Sequence, residues 1–106
     1  MALLLTGVEI DAALSDLGEW TGGPAGLSRV AELGTFPQAI GVVDRVAVVA
    51  EELDHHPDID IRWRRLTFFC TTHSDGGVTA LDLELASRIE AILREAFTKP
   101  APRTVQ

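Results

Sequence analysis

Three histidines are the residues of this sequence best suited to chemistry near neutral pH. His55 and His56 are adjacent and followed by Pro57, and His73 lies further along the chain. With an ordinary pKa of about 6.5, an imidazole can donate or accept a proton at neutral pH, so several could serve an elimination that needs an acid and a base. The spacing fits a structural role equally well, with His55 at the C-terminal end of a helix and His73 as a polar residue on a half-exposed strand.

Two carboxylates could orient these rings. Asp82 follows Thr79 by three residues, so it can complete a capping box at the start of a helix, and it could also hold a histidine and select its tautomer. Glu51 precedes His55 by one helical turn, so it could pair with that ring or lie on the surface, and the surface is the favoured prediction.

A zinc site is the alternative chemistry for three imidazoles. Adjacent histidines such as His55 and His56 point in divergent directions on an extended backbone. The sequence also has no His-x-x-x-His pair and a single cysteine, so a metal site is not predicted.

Composition narrows the class of protein. The chain has 106 residues, is 46% hydrophobic and carries a net charge of −7, which predicts one domain over residues 1–97, followed by a loose tail over 98–106. The acidic balance argues against a nucleic-acid partner. Arg62, Arg64 and Arg65 form a local basic cluster that we interpret as solvated surface.

The lone Cys70 excludes an internal disulfide framework and is predicted to be a buried, inert thiol in a reducing compartment. The opening apolar run, residues 1–5, is too short for a signal sequence and lacks a basic segment, and no run reaches the ~18 apolar residues of a membrane span. A cytoplasmic protein without a membrane partner is expected.

Hydrophobic periodicity predicts seven elements in the order α-β-β-α-β-β-α. They are a helix after Thr6 that ends at Gly18, a strand near Trp20, a strand over 27–33, a helix over 37–54, strands over 59–63 and 66–72, and a helix after Thr79. The predicted core positions of the second helix are Ile40, Val43, Ala47, Ala50 and Leu53. This order predicts an α+β, two-layer fold in which three helices pack on one face of a four-stranded antiparallel sheet.

Two runs, residues 50–58 (AEELDHHPD) and 71–79 (TTHSDGGVT), are similar to the signature of the pterin-4a-carbinolamine dehydratases. The matching positions are Glu51, His55, His56, Pro57, Trp63, His73 and Asp82. Weaker similarity extends from about Leu3 through the last helix. Ala31, Leu33 and Val42 depart from the family's frequent phenylalanines, which concerns core packing and pocket width rather than the histidines.

The resemblance implies a substrate, a product and roles for these residues. The family dehydrates the 4a-carbinolamine of a tetrahydropterin to the quinonoid dihydropterin without a metal or cofactor. His56 and His73 are expected to flank the pterin as acid and base, His55 to assist protonation or binding, and Asp82 to hold an imidazole. The expected substrate-binding residues are Glu51, Pro57, Trp63 and Thr72.

The resemblance also implies partners. A homodimer or homotetramer is expected, and an aromatic amino acid hydroxylase could act in the same pathway. The alternative function is a non-catalytic dimerisation or assembly cofactor that binds a protein partner. The presence of all three histidines and Asp82 favours the enzyme.

Overall fold

A computed structural model describes residues 3–98 of the chain. Within that range lie helix α1 (Gly7–Leu17), strands β1 (Thr21–Gly23) and β2 (Gly26–Glu32), helix α2 (Phe36–Leu53), strands β3 (Asp58–Arg62) and β4 (Arg65–Cys70), a short 3-10 helix (His73–Asp75) and helix α3 (Ala80–Thr98). The predicted α+β fold class and element order are confirmed.

The four strands form one antiparallel sheet in the order β1-β2-β4-β3. Leu27 of β2 pairs with Cys70 of β4, and Ala31 pairs with Leu66. The side chains of these four residues therefore point to the same face of the sheet. That face is buried under the helices, whereas Val30 and Phe69 on the opposite face are exposed. The helices therefore cover one side of the sheet and leave the other open.

The helices begin where the capping signals predict. The Thr6 hydroxyl accepts from the backbone N–H of Glu9, whose carboxylate accepts from the N–H of Thr6, which completes a capping box. At α2, the Thr35 hydroxyl accepts from the N–H of Gln38, and Pro37 occupies the first turn, where its missing N–H costs nothing.

The predicted core face of α2 was correct at Ala50 and wrong by about one position elsewhere. Ile40, Val43 and Leu53 are half-buried and Ala47 is exposed, and the other buried residues are Ala39, Val42, Val46 and Val49. Apolar residues occupy most of this helix, including the exposed Val48, so periodicity alone could not select the inner face.

The last helix runs to Thr98, and the remainder of the predicted tail, residues 99–106, lies outside the described residues. Among helices in the described range, none combines the length and the apolar character that crossing a membrane requires.

Candidate active site

The end of α2 separates the two adjacent histidines. Asp54 adopts a left-handed conformation with φ 48°, and its N–H bonds to the carbonyl oxygen of Glu51. This reverses the chain direction as a helix C-cap does, and aspartate tolerates that conformation better than most residues. His55 consequently turns inward, with 11% of its side chain exposed, whereas His56 is 54% exposed.

Asp82 lies fully buried in the first turn of α3 and contacts three groups. Its Oδ1 lies 2.6 Å from Nε2 of His55. Its Oδ2 accepts the N–H of Thr79 at 2.9 Å and the hydroxyl of Thr72 at 2.7 Å. Asp82 thus stabilises the helix start and contacts an imidazole at the same time, so the two roles predicted for it occur together.

These contacts imply a tautomer for His55. An ionised carboxylate only accepts hydrogen bonds, so Nε2 of His55 carries the hydrogen that faces Oδ1 of Asp82. In the neutral ring Nδ1 then retains the lone pair and can accept a proton. The arrangement is that of a histidine oriented by a buried carboxylate.

Glu51 pairs with His56 and not with His55. Its Oε2 lies 2.5 Å from Nε2 of His56, and both side chains are mostly exposed. The one-turn spacing that suggested a contact with His55 does not apply, because α2 ends at Leu53 before either histidine. Glu51 is therefore both on the surface and in contact with an imidazole.

His73 begins the short 3-10 helix in the loop between β4 and α3. Its side chain is exposed and forms no hydrogen bond with any residue in the range 3–98. The base of the loop is closed by backbone hydrogen bonds between Thr72 and Gly77. An unbonded, exposed imidazole on a closed loop is free to meet a ligand.

The turn between β1 and β2 supports this loop. The carbonyl oxygen of Pro24 accepts the N–H of Val78 at 2.9 Å, and that of Ala25 accepts the hydroxyl of Thr71 at 2.9 Å. A Cβ on Gly77 would approach the Pro24 carbonyl oxygen to 2.6 Å, so this close contact requires glycine.

The remaining predicted site residues lie in different places. Pro57 directly follows His56 and is half-buried, and Thr72 is buried with its hydroxyl bonded to Asp82. Trp63 lies at the far end of β3, about 20 Å from Pro57 along an extended chain. There it is 68% exposed, has φ 55° and stacks under the guanidinium of Arg64. Within one chain, Trp63 is not brought to the histidines.

The negative charge of Asp82 also affects the buried thiol of Cys70. Burial, together with the nearby charges of Asp82 and Asp58, raises the pKa of the Cys70 thiol to about 12. Cys70 therefore stays protonated at neutral pH, and a weakly nucleophilic thiol fits the predicted inert role.

A second buried polar cluster was not predicted. Oε1 of Glu90 accepts the indole N–H of Trp20 at 2.8 Å and the Nε–H of Arg29 at 2.9 Å, and all three side chains are buried. The signal was available in the sequence. Arg29 occupies an inward position of its strand alternation, where a charge requires a partner.

Metal ligation has no support in the described residues, because His, Cys, Asp and Glu side chains between positions 3 and 98 form no group of three that could hold an ion.

The fold and the site together define a small α+β domain that carries a histidine site oriented by a buried carboxylate. A family model described as pterin 4 alpha carbinolamine dehydratase matches residues 4–92. The chain belongs to this family of lyases, and the membership predicted from the sequence is confirmed.

Individual relatives support the assignment. A protein of Nocardia farcinica, provisionally named a pterin-4-alpha-carbinolamine dehydratase, is 50% identical over 91 residues, covering 86% of this chain and 96% of its own. A similarly named protein of Roseiflexus castenholzii is 45% identical, covering 88% of this chain and 100% of its own.

Solved structures show the same fold. A protein of Brucella melitensis, described as a transcriptional coactivator/pterin dehydratase, superposes with a TM-score of 0.81 at 34% identity, over 86% of this chain and 99% of that one. A pterin dehydratase-like RuBisCO assembly factor of the alpha-carboxysome gives a TM-score of 0.58 at 21% identity, over 70% of this chain and 86% of that one. This second likeness concerns the fold alone.

Proposed function

We propose that this chain dehydrates 4a-hydroxytetrahydropterin to quinonoid dihydropterin by histidine acid–base catalysis, in support of tetrahydrobiopterin recycling. The observation that carries the proposal is the pair of His55 and the buried Asp82, set directly beside the exposed His56. In a family named for this reaction, that arrangement supplies proton-transfer groups where a ligand can reach them.

The reaction needs two proton transfers. The C4a–O bond breaks as the hydroxyl takes a proton from an acid and leaves as water. A base removes the proton from N5, and its electron pair forms the C4a–N5 double bond. We assign these transfers to His56 and His73, whose imidazoles are both exposed, and we assign protonation or binding assistance to His55. Positioned acid–base groups supply on the order of 10²- to 10⁴-fold in rate, so the proposal requires no metal or cofactor.

Substrate contacts are proposed for the neighbours of these histidines. Glu51 holds His56 and would fix the ring against the pterin. Pro57 would restrict the backbone beside it. Trp63 is retained as a proposed binding residue for a larger part of the ligand or for an assembly of chains, because it is distant from His55 in the single chain.

The deciding experiment is stopped-flow ultraviolet absorbance of freshly generated 4a-hydroxytetrahydropterin. We expect the intact protein and a chelator-treated sample to accelerate the decay equally. His73→Ala should lose roughly 10²-fold or more of that acceleration. Ser74→Ala, which truncates the exposed neighbour of His73, is the matched control and should retain the rate. A decay at the spontaneous rate with the intact protein would refute the enzyme.

A second candidate function is a non-catalytic dimerisation or assembly cofactor that binds a protein partner. A groove of about 410 Å³ between α2 and α3 favours it, because Val48 in its lining is 59% exposed. The relative from Brucella is described as a coactivator as well as a dehydratase. If the intact protein gave no acceleration, this function would replace the enzyme.

We also propose a homodimer or homotetramer. β1 and β3 are the edge strands of the sheet, and unpaired strand edges invite association. Light scattering after size-exclusion chromatography would give the mass directly, and a mass near 11.4 kDa would refute the oligomer. An aromatic amino acid hydroxylase is the proposed source of the carbinolamine.

A further inference from the structure

The hydroxyls of Thr72 and Thr79 are unavailable to a ligand. Thr79 and Asp82 are fully buried, and Thr72 is 6% exposed. The Thr72 hydroxyl donates to Oδ2 of Asp82 at 2.7 Å, and the oxygen of Thr72 lies 2.8 Å from that of Thr79. Since Thr72 uses its single hydrogen on the carboxylate, the Thr79 hydroxyl must be the donor between the two threonines.

These two residues stand at opposite ends of one loop. Thr72 follows β4 and Thr79 precedes α3, and the loop between them carries His73. Both ends bind the same carboxylate oxygen, Thr72 through its hydroxyl and Thr79 through its backbone N–H. The other oxygen of that carboxylate contacts His55.

We infer that Thr72 and Thr79 are positioning residues that fix the Asp82 carboxylate, and through it both the tautomer of His55 and the place of the His73 loop. An N-terminal helix cap alone would need only Thr79 and Asp82. Thr72 comes from a separate element, and its hydroxyl ties the end of β4 to the same carboxylate. This inference assigns Thr72 a role behind the histidines instead of a direct contact with substrate.

The inference depends on the proposed function for its kinetic readout but not for its structural one. Nitrogen NMR of the histidine side chains reports the His55 tautomer whether or not the protein is an enzyme. We expect hydrogen on Nε2 of His55 in the intact protein. Thr72→Val, which keeps the shape and removes the hydroxyl, should give a mixture of tautomers and faster exchange of that hydrogen with water. Thr72→Ser should preserve the intact pattern.

In the dehydration assay, Thr72→Val should lower kcat roughly tenfold, as expected for one lost hydrogen bond in a site. KM should change by less than a factor of two to three, and Thr72→Ser should restore most of kcat. Thr67→Val is the matched control, because Thr67 lies within β4, away from the His73 loop, and its hydroxyl forms no hydrogen bond in the range 3–98; its kcat should stay near that of the intact protein.

Two results would overturn the inference. One is a His55 ring with its hydrogen on Nδ1 in the intact protein. The other is a folded Thr72→Val variant whose tautomer and kcat equal those of the intact protein. If the intact protein were inactive while Thr72→Val still changed the His55 tautomer, the positioning role would stand and the proposed function would fail.

Discussion

Two buried carboxylates lie on the inner face of α3 and differ in what surrounds them. Asp82, in the first turn, contacts the Thr72 hydroxyl, the backbone N–H of Thr79 and the partly exposed His55. Glu90, two turns later, contacts the guanidinium of Arg29 and the indole of Trp20, both of which are buried. The helix therefore carries one acid toward an open site and one into a closed core.

The difference lies in the partner rather than in the acid. Arginine is always charged and the indole N–H does not titrate, so neither of these two partners of Glu90 changes charge near neutral pH. Histidine gains and loses a proton near neutrality, and the His55 side chain is 11% exposed. A buried carboxylate thus joins the hairpin to α3 in one region and orients an imidazole in the other.

The largest expected effect comes from breaking the Glu90 cluster. Arg29→Ala would leave the buried Glu90 carboxylate with only the mostly exposed Arg94, 3.7 Å away, as a cation. We therefore expect a loss of about 3 kcal/mol in the free energy of unfolding, at the lower end for a broken buried pair. Urea unfolding followed by circular dichroism measures it. The double variant Arg29→Met with Glu90→Leu removes both charges and should recover most of the loss. A loss below about 1 kcal/mol for Arg29→Ala would contradict the distinction drawn between a buried and an exposed pair.

Asp82→Asn tests the other carboxylate. The amide has one fewer acceptor oxygen for the three groups that Asp82 now serves, so we expect about 1–3 kcal/mol of destabilisation. The dehydration rate should fall as well, because His55 loses its carboxylate partner. Glu90→Gln is the counterpart that should lower stability and leave the rate per folded molecule unchanged. Equal rate losses in the two variants would remove the functional contrast.

Alkaline titration of Cys70 tests how burial and the nearby charge of Asp82 act on this thiol. The pKa of Cys70 is raised from 9.0 to about 12, so the folded state binds more protons than the unfolded state between these values. The contribution of Cys70 to the free energy of unfolding is fully present below pH 9.0 and is lost as the pH rises toward 12. The loss reaches up to about 1.4 kcal/mol per pH unit.

This titration can be isolated because the chain contains no tyrosine and only one lysine, Lys99. Unfolding free energies between pH 8 and 10.5 should fall in the intact protein and stay flatter in Cys70→Ala. Parallel slopes in the two proteins would show that Cys70 ionises normally in the folded state.

The smallest effect is expected at the solvent-facing ion pair between α2 and α3. Arg88 and Glu52 lie 2.8 Å apart, but their side chains are 42% and 58% exposed. Arg88→Ala should cost about 0.2–1 kcal/mol, and added salt should shrink even that. Thermal unfolding at two salt concentrations measures it. If Arg88→Ala destabilised the protein as much as Arg29→Ala, burial would not explain the difference in strength between the Arg88–Glu52 and Arg29–Glu90 ion pairs.

Much of the fold could be predicted because local rules agree with the tertiary arrangement. The capping box at Thr6, the proline in the first turn of α2 and the alternation of Leu66, Phe68 and Cys70 each led to the element that the structure contains. The inner face of α2 could not be selected in this way, because a helix that is apolar on most sides is oriented only by the sheet and α3 against which it packs.

The element order, the family and the set of three histidines with two acids can all be read from the amino-acid sequence alone. The pairing of acids with histidines depends on the folded chain, since Asp82 contacts His55 across 27 positions and Glu51 contacts His56 instead of His55. The left-handed turn at Asp54 directs one ring inward and the next outward. Thr72 and Thr79, at the two ends of the His73 loop, hold the Asp82 carboxylate between them. Such contacts depend on where separate elements meet, and spacing along the chain does not encode that.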